Sequence, residues 1–366
     1  MPLAPGARDV TVAIPVHTPS RPIERAVGSV VADGARAVVV CHNTDPGPIG
    51  DRLAGLEGDV ELLTLEDGIP SPAGPLNHGL DAVRTPFSAV LGSDDFFEAG
   101  ALRAWAELAR GGADLVLMRT RTVDHEHPEL SSPGTIPHVR VGRRRRLGAV
   151  PDRLGYRTGP MILARTDLLR REGIRMREGL RHGEDLEFTA RAFLTARRID
   201  LARAGLPHHV VVAGAADRIQ AVRFGVEEML RPAALLRGQD WFRSAPPAFR
   251  RAYAVRTLRR DVIGTLLRHA PTLDDEDVAP LRAELAAWRE IAWVDTALSR
   301  GEARLLAEMA RASDAAAMRG VAEAWSGLGA VDRLLPASAR GLLDREQRAR
   351  HAASGVLNRL WDRARP

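Results

Sequence analysis

The chain has 366 residues, 45% hydrophobic and 27% charged, with a formal net charge of +5. This is the composition of a globular protein long enough for two domains, and it argues against a disordered chain. All 52 basic residues are arginine, only 4% of residues are aromatic, and no nucleic-acid recognition motif is present, so an anionic small molecule or anionic surface fits the charge better than nucleic acid does.

Asp9 and Pro15 fall where a secretory apolar region would lie. No run approaches the ~18 uninterrupted apolar residues of a spanning helix, so a cytoplasmic protein is expected, with at most a peripheral membrane contact. Residues 10 to 16 and 36 to 41 are short apolar runs that read as buried strands, and 22 to 31 between them has helical character, which makes a βαβ unit. The single cysteine, Cys41, excludes an intrachain disulfide and a cysteine zinc cluster; its strand setting predicts a buried, inert thiol in a reducing compartment.

A third strand fits 60 to 65, and the Pro- and Gly-rich stretch 68 to 75 leads into a helix over 76 to 83. The next strand, 87 to 91, ends in Gly92-Ser93-Asp94-Asp95. Residues 99 to 110 read as a helix stopped by Gly111-Gly112, and 114 to 120 as a strand. From 123 to 156 the chain is rich in His, Pro, Gly and Arg, with weak strand signals near 136 to 141, and predicts loops or an antiparallel excursion. Its run Arg143 to Arg146 fits a solvated loop better than a phosphate site in a chain this rich in arginine.

Then come a short strand at 161 to 164, helices over 166 to 172 and 184 to 197, and a last strand at 208 to 212, where His208 and His209 are expected to be structural. Beyond 215, apolar residues recur at helical spacing, as in Leu258, Val262 and Leu266, then Leu281, Leu285 and Trp288, then Val356, Leu357 and Leu360. The apolar faces predict a core of their own, and Asp274 to Asp277 predict a helix cap.

Two acidic clusters carry the chemistry. Asp94 and Asp95 would project from the carboxyl end of a strand, where open α/β sheets bind ligands, and their oxygens suit Mg²⁺ or Mn²⁺ carrying a diphosphate. Glu184 and Asp185 fall in or beside a first helical turn, where a carboxylate can act as general base. Each pair also has a plainer use, as turn residues in the first case and as compensation of the helix dipole in the second.

In their order, the motifs resemble those of the family 2 glycosyltransferases over roughly residues 9 to 215. Val12-Ala13-Ile14-Pro15-Val16-His17 looks like the family's first strand ending in Ile-Pro-Val-Tyr, and Asn77-His78-Gly79-Leu80-Asp81-Ala82 like its Asn-x-Gly-Leu-x-x-Ala helix. Val90 to Phe96 aligns with the strand and Asp-x-Asp turn, Gly159-Pro160-Met161-Ile162 with a small-residue turn and strand, and Gly183-Glu184-Asp185 with the base motif.

The resemblance implies a GT-A domain over 1–215, Rossmann-like with a mostly parallel sheet flanked by helices, and leaves an all-α domain over 216–366 for homo-oligomerisation or acceptor binding. It implies an inverting transfer from a nucleotide-sugar donor to the hydroxyl of a glycan or small-molecule acceptor, with Asp185 as general base and Glu184 beside it. Pro15, His17, His42, Asn77, Ser93, Asp94 and Arg218 would surround the donor, and Asp94 and Asp95 would hold Mg or Mn.

Two positions depart from the pattern. Gly92 stands where the family usually has the first Asp of its Asp-x-Asp motif, and His42 stands where an acid commonly reads the nucleotide base, leaving Asp45 as the nearby carboxylate. Two alternatives follow: a metal-independent glycosyltransferase in which Arg218 neutralises the leaving group, and a non-catalytic relative that binds a nucleotide or glycan.

Overall fold

A computed structural model describes residues 6–127, 129–133, 139–157, 159–214 and 224–364. Strands β1 (Val10–Val16), β2 (Arg36–His42) and β3 (Val60–Leu65) run parallel as neighbours, and β4 (Phe87–Val90) pairs parallel with β1 on its other side. After β5 (Phe96–Phe97) come β6 (Leu115–Leu117), β7 (Thr120–Asp124), β8 (Ser131–Pro133), β9 (Ile162–Arg165), β10 (Ile199–Leu201) and β11 (His209–Ala213). They form a seven-stranded sheet in the order β10-β6-β9-β4-β1-β2-β3, in which β9 alone is antiparallel to its neighbours, and a four-stranded sheet in the order β5-β11-β7-β8.

The central strands are apolar on both faces because both faces are covered. Val12 and Ile14 meet the helices Ile23–Val31 and Ala101–Arg110 on one side, while Ala13 and Val90 share a core with Leu76, Leu80 and Phe188 on the other. The helix Ala73–Ala82 lies so close to the sheet that a Cβ at Gly79 would stand 2.8 Å from that of Ala13, which accounts for glycine there. Cys41 is fully buried, and burial pushes its thiol up to about 11, away from reactivity.

The architecture is the α/β class expected from the sequence, a mostly parallel sheet flanked by helices and followed by a helical region. Several details differ. The stretch 114 to 120 is not one strand: β6 holds Leu115–Leu117, β7 begins at Thr120 and runs to Asp124, and the chain carries them into different sheets across Met118 and Arg119. A helix, Pro46–Leu53, follows β2 despite two prolines and two glycines, because Pro46 occupies the first turn and Asp45 caps it, accepting from Gly47 N at 2.9 Å. The two-residue β5 and the three-residue β8 and β10 are too short to give a period. Of the weak strand signal at 136 to 141, residues 134–138 lie outside the described residues and 139–141 are not strand.

Beyond residue 224 the described chain is helical. Phe242, Phe249, Tyr253 and Trp288 interlock edge to face in a core that also takes in Leu186 and Ala190 from the helix Asp185–Thr195. Asp274 and Asp277 form the expected cap on Asp275–Ile291. A buried ion pair, Arg259 with Glu302 at 2.8 Å, is completed by the Ala297 and Glu346 carbonyls and the Tyr156 hydroxyl. Arg144 departs from the solvated-loop expectation: it bonds Asp362 and Asn358 of the last helix, Arg348–Ala364, with its side chain 13% exposed.

Candidate donor and base site

Because β1 to β4 are parallel, their carboxyl ends share one edge of the sheet, and the chain direction splits between β1 and β4. A crevice at such a switch point is where open α/β sheets take ligands. Pro15 is half-buried near the end of β1, and the exposed His17 follows that strand. His42 ends β2, and Ser93 and Asp94 follow β4, so these five donor-site candidates are brought together at one edge.

His42 is 6% exposed and shares a hydrogen bond of 2.8 Å with Asp67, just beyond β3. Asn43, held at φ 52°, accepts from Asp67 N and Gly68 N at 3.0 Å and turns its amide to His42 Nε2 at the same distance. Burial pushes the Asp67 carboxyl up, but bonds from Ile69 N, His42 and Asn43 outweigh this and hold it below its ordinary value. Thus Asp67, not the helix-capping Asp45, is the acid beside His42.

At the end of β4 the turn closes with Asp95 N donating to Gly92 O at 3.1 Å. Arg21 Nη1 donates to Asp94 Oδ2 at 3.1 Å, and Arg25 donates to the Asp94 carbonyl at 2.6 Å. Asp95 is a structural pin: Oδ1 accepts from Val212 N at 3.0 Å and Oδ2 stands 3.6 Å from His209, itself buried edge-on against Phe97. A Cβ at Gly92 would come within 3.1 Å of Asp94 Oδ1 and 3.2 Å of Asp95 Oδ2. A side chain there would crowd both carboxylates, which accounts for glycine. Among the described residues no three His, Cys, Asp or Glu side chains gather as a metal cage. Mg²⁺ needs only one or two protein carboxylates when phosphates complete its shell, and both carboxylates here are engaged within the protein, Asp94 by Arg21 and Asp95 by Val212 N.

Asn77 sits differently. It is 5% exposed, its amide donates to Met176 O and Glu178 Oε1, and its carbonyl accepts from Met176 N, so it fastens the segment before the base motif to the helix Ala73–Ala82. Arg218 lies outside the described residues.

The base motif reaches the same edge through β9. The antiparallel β4–β9 register pairs Phe87 with Arg165 and Ser88 with Ala164, so the start of β9 lies toward the end of β4. Neighbouring strands are about 4.8 Å apart. Gly159, at φ +99°, lies against Asp185: a Cβ built on it would be 3.9 Å from Asp185 Oδ2, and its backbone hydrogen-bonds that carboxyl. Gly183 has φ +71°, and a Cβ there would press to 2.7 Å from Pro232, so the turn before the base is packed directly onto the helix Val226–Gly238.

Glu184 and Asp185 are both partly buried, neighbours at the start of the helix Asp185–Thr195. Burial, then the Asp185 charge, push Glu184 up to about 7. Burial also raises Asp185, against the opposing pull of Arg256 and His182. Arg256, 4% exposed on the helix Pro247–Thr257, is a charge that sequence reading missed, because nothing local marks it among so many arginines. Arg157 is another: its guanidinium is held by the Met118 and Met161 carbonyls, and burial with the Arg119 charge lowers it to about 10.

The fold has solved counterparts. S. aureus TarS, residues 1–349 in complex with UDP-GlcNAc, superposes with a TM-score of 0.72 over 87% of this chain and 91% of that one at 19% identity. The chain shares the fold of TarS. The UDP complex of the same TarS segment gives a TM-score of 0.69, and against the longer TarS structure the match covers 86% of this chain and 55% of that chain, with a TM-score of 0.66. No protein-family model and no curated protein matches the sequence.

Proposed function

We propose that the protein is an inverting glycosyltransferase that moves a sugar from a nucleotide-sugar donor to an acceptor hydroxyl. The observation that carries this reading is the convergence, on one sheet edge, of the Asp94 turn with a carboxyl pair whose proton affinity is raised. The UDP-GlcNAc and UDP complexes of the TarS fold make a uridine diphosphate sugar the first donor to test.

In this reading the nucleotide base lies toward His42 and Asp67, and the diphosphate toward Asp94 and Arg21. Asp185 accepts the acceptor hydroxyl's proton as the oxygen attacks the anomeric carbon from the side opposite the leaving diphosphate, and configuration inverts in one displacement. Mg or Mn, when bound at Asp94, offsets charge developing on the leaving group. Glu184 stands beside the base as a second carboxyl, raised by burial and by the Asp185 charge. The helical region, which supplies Arg256, completes the electrostatics of the base and borders the acceptor side.

A titration of the full chain with UDP and UDP-GlcNAc tests the donor assignment. Both are expected to bind, more tightly with Mn²⁺, and Asp94→Asn is expected to remove the metal dependence. Binding that ignores both Mn²⁺ and Asp94 would favour the metal-independent reading, in which an arginine such as Arg218 neutralises the diphosphate; binding without turnover would favour the non-catalytic one.

The carboxyl pair gives a second test. With Glu184 raised to about 7, the acidic limb of kcat/KM is expected near neutral pH rather than in the ordinary carboxylate range. Glu184→Gln removes a like charge, which favours ionised Asp185, so the limb should move to lower pH. A pH–rate profile of the two proteins checks the sign.

A further inference from the structure

The last helix, Arg348–Ala364, has two unlike faces. One is buried: Asn358 is 0% exposed and bonds the Val139 carbonyl, and Asp362 bonds Arg119 and Arg144. The other carries Val356, Leu357 and Leu360 at 48%, 48% and 53% exposure. At 3.6 residues per turn these three fall within one quadrant or little more, with Arg363 and Arg359 along one border and Arg350 along the other. The apolar surface runs on into the body of the protein, where Leu357 and the exposed Val141 line one shallow recess with Arg345 and Arg350. Arg143 and Arg145 are exposed in the loop that follows Val141. The acids of this region face inward: Asp152 and Glu346 are buried, and Asp362 is spent on two arginines.

We propose that this face, the outer side of the last helix with Val141, is a docking surface for an anionic membrane, with Leu357 and Leu360 entering the headgroup boundary and the bordering arginines meeting lipid phosphates. An apolar stripe edged by arginine is the pattern of an interfacial helix, and anionic lipid complements its charge. A second copy of the same face would set arginine against arginine, which disfavours self-association there. No helix among the described residues is long and apolar enough to cross a membrane, so the contact is a lateral one. This proposal is independent of the donor and base assignments.

Co-sedimentation of the full chain with phosphatidylglycerol–phosphatidylcholine vesicles, beside pure phosphatidylcholine vesicles, tests it. Binding to the anionic vesicles is expected to be about tenfold stronger and to weaken as salt is raised. The double variant Leu357→Gln, Leu360→Gln should lose about tenfold of that binding while its melting temperature and UDP binding stay unchanged. Equal binding by the double variant, no binding to either vesicle, or a dimer of the parent chain that the double variant makes monomeric would each overturn it.

Discussion

Asp185→Asn is expected to lower turnover by about 10²–10⁴-fold while leaving donor binding intact, because a hydroxyl is a poor nucleophile until its proton is taken and Asp185 is the carboxylate that stands against the Gly159 turn. The same change should not destabilise the protein. Glu184 and Asp185 hold protons more tightly in the folded chain than unfolded, so folding loses stability as pH rises from the ordinary carboxylate range through about 7. Above that window both charges repel in a partly buried recess, and the neutral amide relieves the repulsion. At pH 8, Asp185→Asn is therefore expected to melt at or above the parent's temperature. Melting curves at pH 5 and 8 beside single-turnover rates check both halves; a variant that loses activity only because it unfolds would contradict the assignment.

Glu302→Leu has the largest expected effect on stability. Glu302 is fully buried; it accepts from Arg259 Nε at 2.8 Å, Arg348 Nε at 2.5 Å and Ser299 N at 2.8 Å. Burial raises its carboxyl, but the Arg259 and Arg348 charges outweigh this and hold it below its ordinary value. Removing it strands the guanidinium of Arg259, 7% exposed, at a cost of about 3–5 kcal/mol. Arg259 also binds Tyr156 beside the sheet and the Glu346 carbonyl before the last helix, so the loss should loosen both attachments. Chemical denaturation of Glu302→Leu beside the double variant Arg259→Met, Glu302→Leu measures this, and the double variant is expected to be the more stable of the two.

The readable parts of this chain are those in which local pattern and tertiary role coincide. β1 and β2 are buried on both faces, so their unbroken apolar runs report strand directly. Gly79 and Gly183 mark close approaches that only glycine permits, and so carry real information in motifs that are weak by themselves. The pairing of Asp67 with His42 is a contact between the ends of neighbouring strands, visible only once β2 and β3 lie side by side. Arg256 acts on Asp185 across 71 positions of chain, from a helix whose sequence says only that one face is apolar. The switch from β6 to β7 was hidden because only Met118 and Arg119 separate the two strands and neither is a turn residue.

The most direct test of the central claim is to follow UDP-GlcNAc by proton NMR with the chain, Mn²⁺ and water as the acceptor, and to identify the first-formed anomer of the released sugar before it equilibrates. An inverting transfer releases the β-anomer from the α-linked donor, and Asp185→Asn is expected to lose that release. A first-formed α-anomer, or equal release by Asp185→Asn, would contradict it.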